Sequence, residues 1–157
     1  MLLRRGAAIN AANKHGTTPL HIAAAYGRTA AITQLVAEGA TVDATNCLGV
    51  TPLHTACLRG RTSAMIELVR LGADVTLVSD HLGFSALHFA AFSDHLEAVQ
   101  VLFDAGCTPA SVSAAGETPC GLAVRCGQVR CAAAIAANLE GGCRWCGAGA
   151  RVYTCVC

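Results

Sequence analysis

A chain of 157 residues is long enough for one domain with a substantial core and too short for two well-packed ones. Hydrophobic residues make up 54% of it, charged residues 13% and aromatics 4%, which excludes an extended disordered chain and favours closely packed helices over an aromatic-filled sandwich. The formal net charge of +1 supplies no long-range field, so neither a nucleic acid nor a membrane surface is expected as a partner.

The opening MLLRRGAAIN carries two leucines ahead of two arginines and lacks the apolar stretch of a secretory signal. The longest apolar run, residues 131–139, is about half the roughly 20 residues a bilayer requires, so no membrane insertion is expected. Six cysteines lie scattered through helix-like segments, which fits reduced thiols better than a disulfide framework and predicts an intracellular setting, cytoplasmic or nuclear.

Beyond residues 1–12, which read as the remnant of a preceding unit, the chain is periodic. Gly16, Gly49, Gly83 and Gly116 stand 33, 34 and 33 residues apart, and Gly6, Gly39, Gly72 and Gly106 stand 33, 33 and 34 apart. A fixed period of this length means stacked units, and the two series together place a single extra residue near Ser79.

Each unit opens on Thr18-Pro19, Thr51-Pro52, Ser85-Ala86 or Thr118-Pro119. A hydroxyl there accepts the unpaired amide hydrogens of a new helix, and proline at the first helical position loses nothing by lacking its N–H. Leu20, Ala23 and Ala24, then Leu53, Ala56 and Cys57, then Leu87, Ala90 and Ala91, follow at helical spacing. A second helix repeats that spacing with Ile32, Leu35 and Val36, then Met65, Leu68 and Val69, then Val99, Leu102 and Phe103. Gly27, Gly60 and Gly127 suit the left-handed end of the first helix, and Gly39, Gly72 and Gly106 that of the second. The segment between one helix pair and the next leaves room for an extended turn or hairpin.

The stretches TPLHIA at Thr18, TPLHTA at Thr51 and SALHFA at Ser85 resemble the signature of the ankyrin repeat. The resemblance implies an all-α solenoid of stacked helix-turn-helix units joined by hairpin-like loops, with repeats at residues 13–45, 46–79, 80–112 and 113–140 and a Cys/Gly-rich tail at 141–157. In the last unit Cys120, Gly121 and Leu139 replace the motif leucine, the motif histidine and the closing glycine, which predicts weaker stacking there.

His21, His54 and His88 recur with the fold. The resemblance makes them structural, bonding the turn and adjoining backbone, and nucleophilic catalysis needs one convergent site rather than a row of equivalents. No phosphate loop, paired-carboxylate or metal-protease motif is present, so no enzyme is expected. The tail places Cys143, Cys146, Cys155 and Cys157 as C-x2-C-x8-C-x-C. Four thiolates can surround one zinc ion, the one cofactor the sequence raises, although the second spacing is unusual for a zinc knuckle.

The resemblance further implies a non-enzymatic scaffold that binds a partner protein through a concave groove and the hairpin tips. Carried over by position, the tips are Lys14, His15, Cys47, Leu48, His81 and Leu82, with Val50 and Phe84 at the turn into the next helix. The groove-facing helix residues are Ala25 and Tyr26, Leu58 and Arg59, Phe92 and Ser93, and Arg125. Tyr26, Arg59 and Phe92 are expected to align at one repeat position as a binding stripe. The alternative is an adaptor, of the kind that serves ubiquitin transfer, whose cysteine-rich tail holds zinc.

Overall fold

The computed structural model describes residues 8–139 and contains, among them, eight helices in four pairs. The inner helices are α1 (Pro19–Ala25), α3 (Pro52–Leu58), α5 (Ala86–Phe92) and α7 (Pro119–Arg125). The outer helices are α2 (Thr29–Ala37), α4 (Thr62–Arg70), α6 (Leu96–Asp104) and α8 (Val129–Ala137). Inner helices stack in the order α1, α3, α5, α7, and the outer helices follow in parallel as α2, α4, α6, α8.

The helices begin where their chemistry dictates. At α3, the Thr51 hydroxyl accepts the His54 amide at 3.3 Å while the Thr51 amide donates to His54 Nδ1 at 3.2 Å, so two amides left over at the helix start are satisfied reciprocally. The same Thr18 and Ser85 amides reach His21 and His88. Because Nδ1 accepts, each ring carries its proton on Nε2. From there His21 donates to the Val50 carbonyl at 2.9 Å and His88 to that of Glu117 at 3.0 Å, tying one layer to the next. In the last layer Gly121 keeps only half of this: its amide reaches the Thr118 hydroxyl at 3.1 Å, and there is no ring to bridge onward.

The core is a set of columns, one residue per layer. Leu20, Leu53 and Leu87 are fully buried, and Cys120 fills the same column in the fourth layer. Ala56, Ala90 and Ala123 are completely covered and present one methyl each, which lets the inner helices approach closely. The outer helices contribute Ile32, Met65, Leu68, Leu102 and Ile135. Each such large side chain stabilises the stack by about 1.5–3 kcal/mol. The fourth layer continues the packing despite its altered motif, with Leu122 and Ile135 fully buried, but it lacks the histidine bridge.

The connections are fingers closed by turns, with one isolated bridge, Val78 to Ser85, in place of paired strands among the described residues. In three of them the closing bond joins residues four apart: Asn13 N–H to Thr17 O, Asn46 to Val50, and Ser113 to Glu117. In the third finger it joins Ser79 N–H to Phe84 O, five apart, so the extra residue lies inside that finger. The change propagates. His54 Nε2 donates to Leu77 O at 3.0 Å rather than to the residue that precedes the next helix.

Candidate functional site

The fingers are pinned from within and to one another. Asn13 Oδ1 accepts the amides of His15 and Thr17, and Asn46 Oδ1 those of Leu48 and Val50, at 2.9–3.1 Å. Ser79 and Ser113 do the same work with one hydroxyl bond each, to the amides of Phe84 and Glu117. Between fingers, Cys47 N–H donates to His15 O at 3.1 Å, Asp80 N–H to Leu48 O at 3.1 Å, and Ala114 N–H to Leu82 O at 2.9 Å. The tips therefore form a fixed rank whose backbone bonds are already made, while the side chains of Leu48 and Leu82 stand 56% and 53% exposed. His15, Cys47 and His81 are exposed beside them. Asn13 and Asn46 escaped the sequence reading, although an asparagine three residues before Gly16 and again before Gly49 was a legible turn signal.

Glycine permits the close approach. Gly83 adopts φ +62°, and a Cβ added there would stand 2.7 Å from the Ala114 nitrogen, the same amide that bonds Leu82.

Phe84 is only half-buried, but its ring is committed inward: it stacks on His88 with centroids 5.2 Å apart and meets Phe89 edge-on at 5.6 Å. Phe89 in turn rests on His54 at 5.2 Å. The longer third finger thus ends in an aromatic cluster between layers, and Phe84 holds the finger's base more than it offers a free ring.

At the inner-helix ends, the expected single stripe divides into two. Tyr26 and Arg59 are the residues that cap α1 and α3, in line with Ser93 and Cys126. Phe92 is the last residue of α5, one position earlier, in line with Ala25, Leu58 and Arg125. The single-stripe expectation is therefore corrected: the extra residue before Ser85 displaces the third motif, so counting from one chain position pairs unlike helix positions. Tyr26 is 68% exposed and Phe92 48%, while Leu58 is half-buried between them.

The two arginines differ in state. Arg59 is exposed, and its guanidinium makes no hydrogen bond or ion pair among the described residues. Arg125 is held by Glu117 through two contacts, Nε to Oε1 at 2.7 Å and a terminal nitrogen to Oε2 at 2.9 Å. Both partners are partly exposed, so this fork is exchangeable in water.

The titratable groups of the interior point to structure. Burial lowers the pKa of all three histidines, His54 to about 4, against the opposing pull of the carbonyl each ring bonds. Burial pushes the Cys57 thiol above its ordinary range and Cys107 to about 11, so neither is a ready thiolate beside a histidine. Cys47, Cys57, Cys107, Cys126 and Cys131 are free thiols. No cluster of three or more metal-ligating side chains occurs among the described residues, and no helix among them is long and apolar enough to cross a membrane. Cys143, Cys146, Cys155 and Cys157 lie outside the described residues.

No curated protein matches the chain. Two family models do: one for ankyrin repeats in three copies over residues 1–79, and one for ankyrin repeats in many copies over residues 87–135. These matches take in most of the four helix pairs and all three interlayer histidines, and on them the chain belongs to the ankyrin repeat family.

Proposed function

We propose that this chain is a non-enzymatic recognition module that binds another protein across its finger tips and inner-helix ends. Ankyrin repeats are generally protein–protein interaction modules and typically carry no catalysis. The observation that supports the reading most is the rank of fingers. Its backbone bonds are satisfied within the chain, so Leu48 and Leu82 are presented with little conformational entropy left to lose. Tyr26 and Phe92 add exposed aromatic surface at the helix ends, where Tyr in particular is enriched among binding hot spots.

This surface suits a partner segment with apolar side chains and at least one carboxylate. The carboxylate pairs with Arg59, which has no competing partner, or displaces Glu117 from Arg125. The near-neutral chain adds little steering, so selectivity rests on shape and on these few groups. Free thiols through the core fit an intracellular partner, cytoplasmic or nuclear.

The test is affinity capture from cytosolic and nuclear extracts with wild type beside a Tyr26→Ala, Phe92→Ala double variant, followed by titration of the captured protein. Both side chains are exposed, so helical content should stay unchanged while affinity falls about tenfold to a hundredfold. Equal affinity for the two proteins would refute the groove assignment.

A further inference from the structure

Among the described residues, the layer of α1 and α2 is less covered on its outer side than the layers behind it. At the position of Ile22 the third and fourth layers bury Phe89 and Leu122 to 8% and 1% exposure, and the second has the smaller Thr55, half-buried. Ile22 itself is 49% exposed. Ala31 is half-buried where Ala64, Ala98 and Cys131 are completely covered. Ile22, Ala23, Ala31 and Leu35 line one shallow recess, with Tyr26 and Arg28 also on it.

A second observation says what shape of surface this end fits. The residue before α4 and the one before α8 reach back one layer to the final carbonyl of the inner helix there: Arg61 Nε donates to Ala25 O at 3.2 Å, and Gln128 Nε2 to Phe92 O at 3.4 Å, while His95 before α6 makes no such bond among the described residues. Arg28 occupies that position in the first layer. It is exposed, and its guanidinium makes no hydrogen bond or ion pair among the described residues. At the opposite end of the stack, α7 finishes at Arg125, the position of Ala25 and Phe92. An apolar face with a waiting donor thus stands at one end, and the carbonyl that such a donor takes stands at the other.

We propose that a second copy of this chain docks its α7–α8 end onto the α1–α2 end of the first, head to tail. The contact continues the plane in which α1, α3, α5 and α7 already stack. Ile22 becomes buried as Leu122 is, and Arg28 donates to the carbonyl of the second copy's Arg125. A net charge of +1 puts little repulsion between copies. Joining unlike faces leaves a free face of each kind on every pair, so the assembly grows by addition, into an open array or a ring, instead of stopping at a pair.

Sedimentation velocity of the full chain over a hundredfold range of concentration reads this directly. The expected result is a weight-average mass that rises with concentration beyond that of a dimer. Ile22→Asp places a charge in the recess without disturbing the fold of the single chain, as circular dichroism should show, and should weaken association at least tenfold. Ile66→Asp, on the exposed face of α4, should leave association unchanged. Mixed in excess with wild type, the Ile22→Asp copy still offers its α7–α8 end and should halt growth by capping. The proposal is overturned by a monomer at every concentration, or by association indifferent to Ile22→Asp or equally lost with Ile66→Asp. Wild-type pairs that exclude the Ile22→Asp copy would overturn it too, since they would mean two α1–α2 ends meeting each other.

Discussion

At the residue scale, Asp94 is where the chain departs from its own rule. Gly27, Gly60 and Gly127 end their inner helices at φ of +69°, +61° and +76°, and Asp94 takes φ +56° at the same position in the third layer. A residue with a Cβ is strained there, and its buried Oδ1 accepts from no N–H or O–H among the described residues, the carboxylate lying instead against the Cys131 thiol of the next layer. The next layer shares the consequence, since burial and then the neighbouring Asp94 carboxylate push the Cys131 thiol up to about 12. Asp94→Gly should therefore stabilise the protein by about 1 kcal/mol, a rise of roughly 2–4 °C in melting temperature. Thermal melts of the two proteins at pH 7.5 check this, and an unchanged or lower midpoint would mean that the carboxylate is holding the turn. That a left-handed residue stands here was readable from the glycine series. The burial of its oxygen was not, because the atoms that cover it come from a different repeat.

At the element scale, the fingers decide what the groove can present. The repeat period located an extra residue near Ser79, but only the Ser79 to Phe84 closing bond shows that the tip absorbs it and that His54 exchanges its carbonyl partner in response. The same shift explains why Phe92 and Tyr26 occupy different positions on their helices, which linear counting conflated. Gly83 carries the finger-to-finger contact. Gly83→Ala combines a disfavoured positive φ with a methyl 2.7 Å from the Ala114 nitrogen, so it should cost about 1–3 kcal/mol. The loss should be local: hydrogen exchange at the Ala114 amide should accelerate well beyond that at Cys47, whose own finger bond is two layers away. Uniform acceleration at both amides would show instead that the array opens as one unit.

At the scale of the whole molecule, stability is the sum of layers and of the contacts between neighbours. Three of those contacts contain a histidine that must stay neutral, because its Nδ1 accepts an amide hydrogen. The pKa of each folded-state ring is lowered below 6.5, so the unfolded chain binds more protons wherever the pH falls under that value. Stability should be level above about pH 7 and decline from pH 6.5 towards pH 4, by at most about 1.4 kcal/mol per pH unit for each ring. Urea midpoints between pH 7.5 and pH 5, above most carboxylate titration, should show that decline. His54→Gln, which keeps a donor for Leu77 O, should lower stability at pH 7.5 and flatten the slope. A slope identical to wild type would remove His54 from the account.

The sequence by itself determined the repeat, the helix pairs, their caps and the columns of Leu and Ala. These follow from short-range chemistry, a hydroxyl and a proline at fixed spacing and apolar residues every three or four positions, and such chemistry is written locally. It also picked out the exposed residues at the finger tips and helix ends. Tertiary structure alone decided what each of those residues is free to do. Phe84 turns inward onto His88 and Phe89, Arg125 is taken by Glu117, and Arg59 is left unpaired. Those outcomes join residues only four to eight positions apart, yet they depend on how each finger folds back over the helix that follows it, and periodicity records the spacing of layers without recording that path.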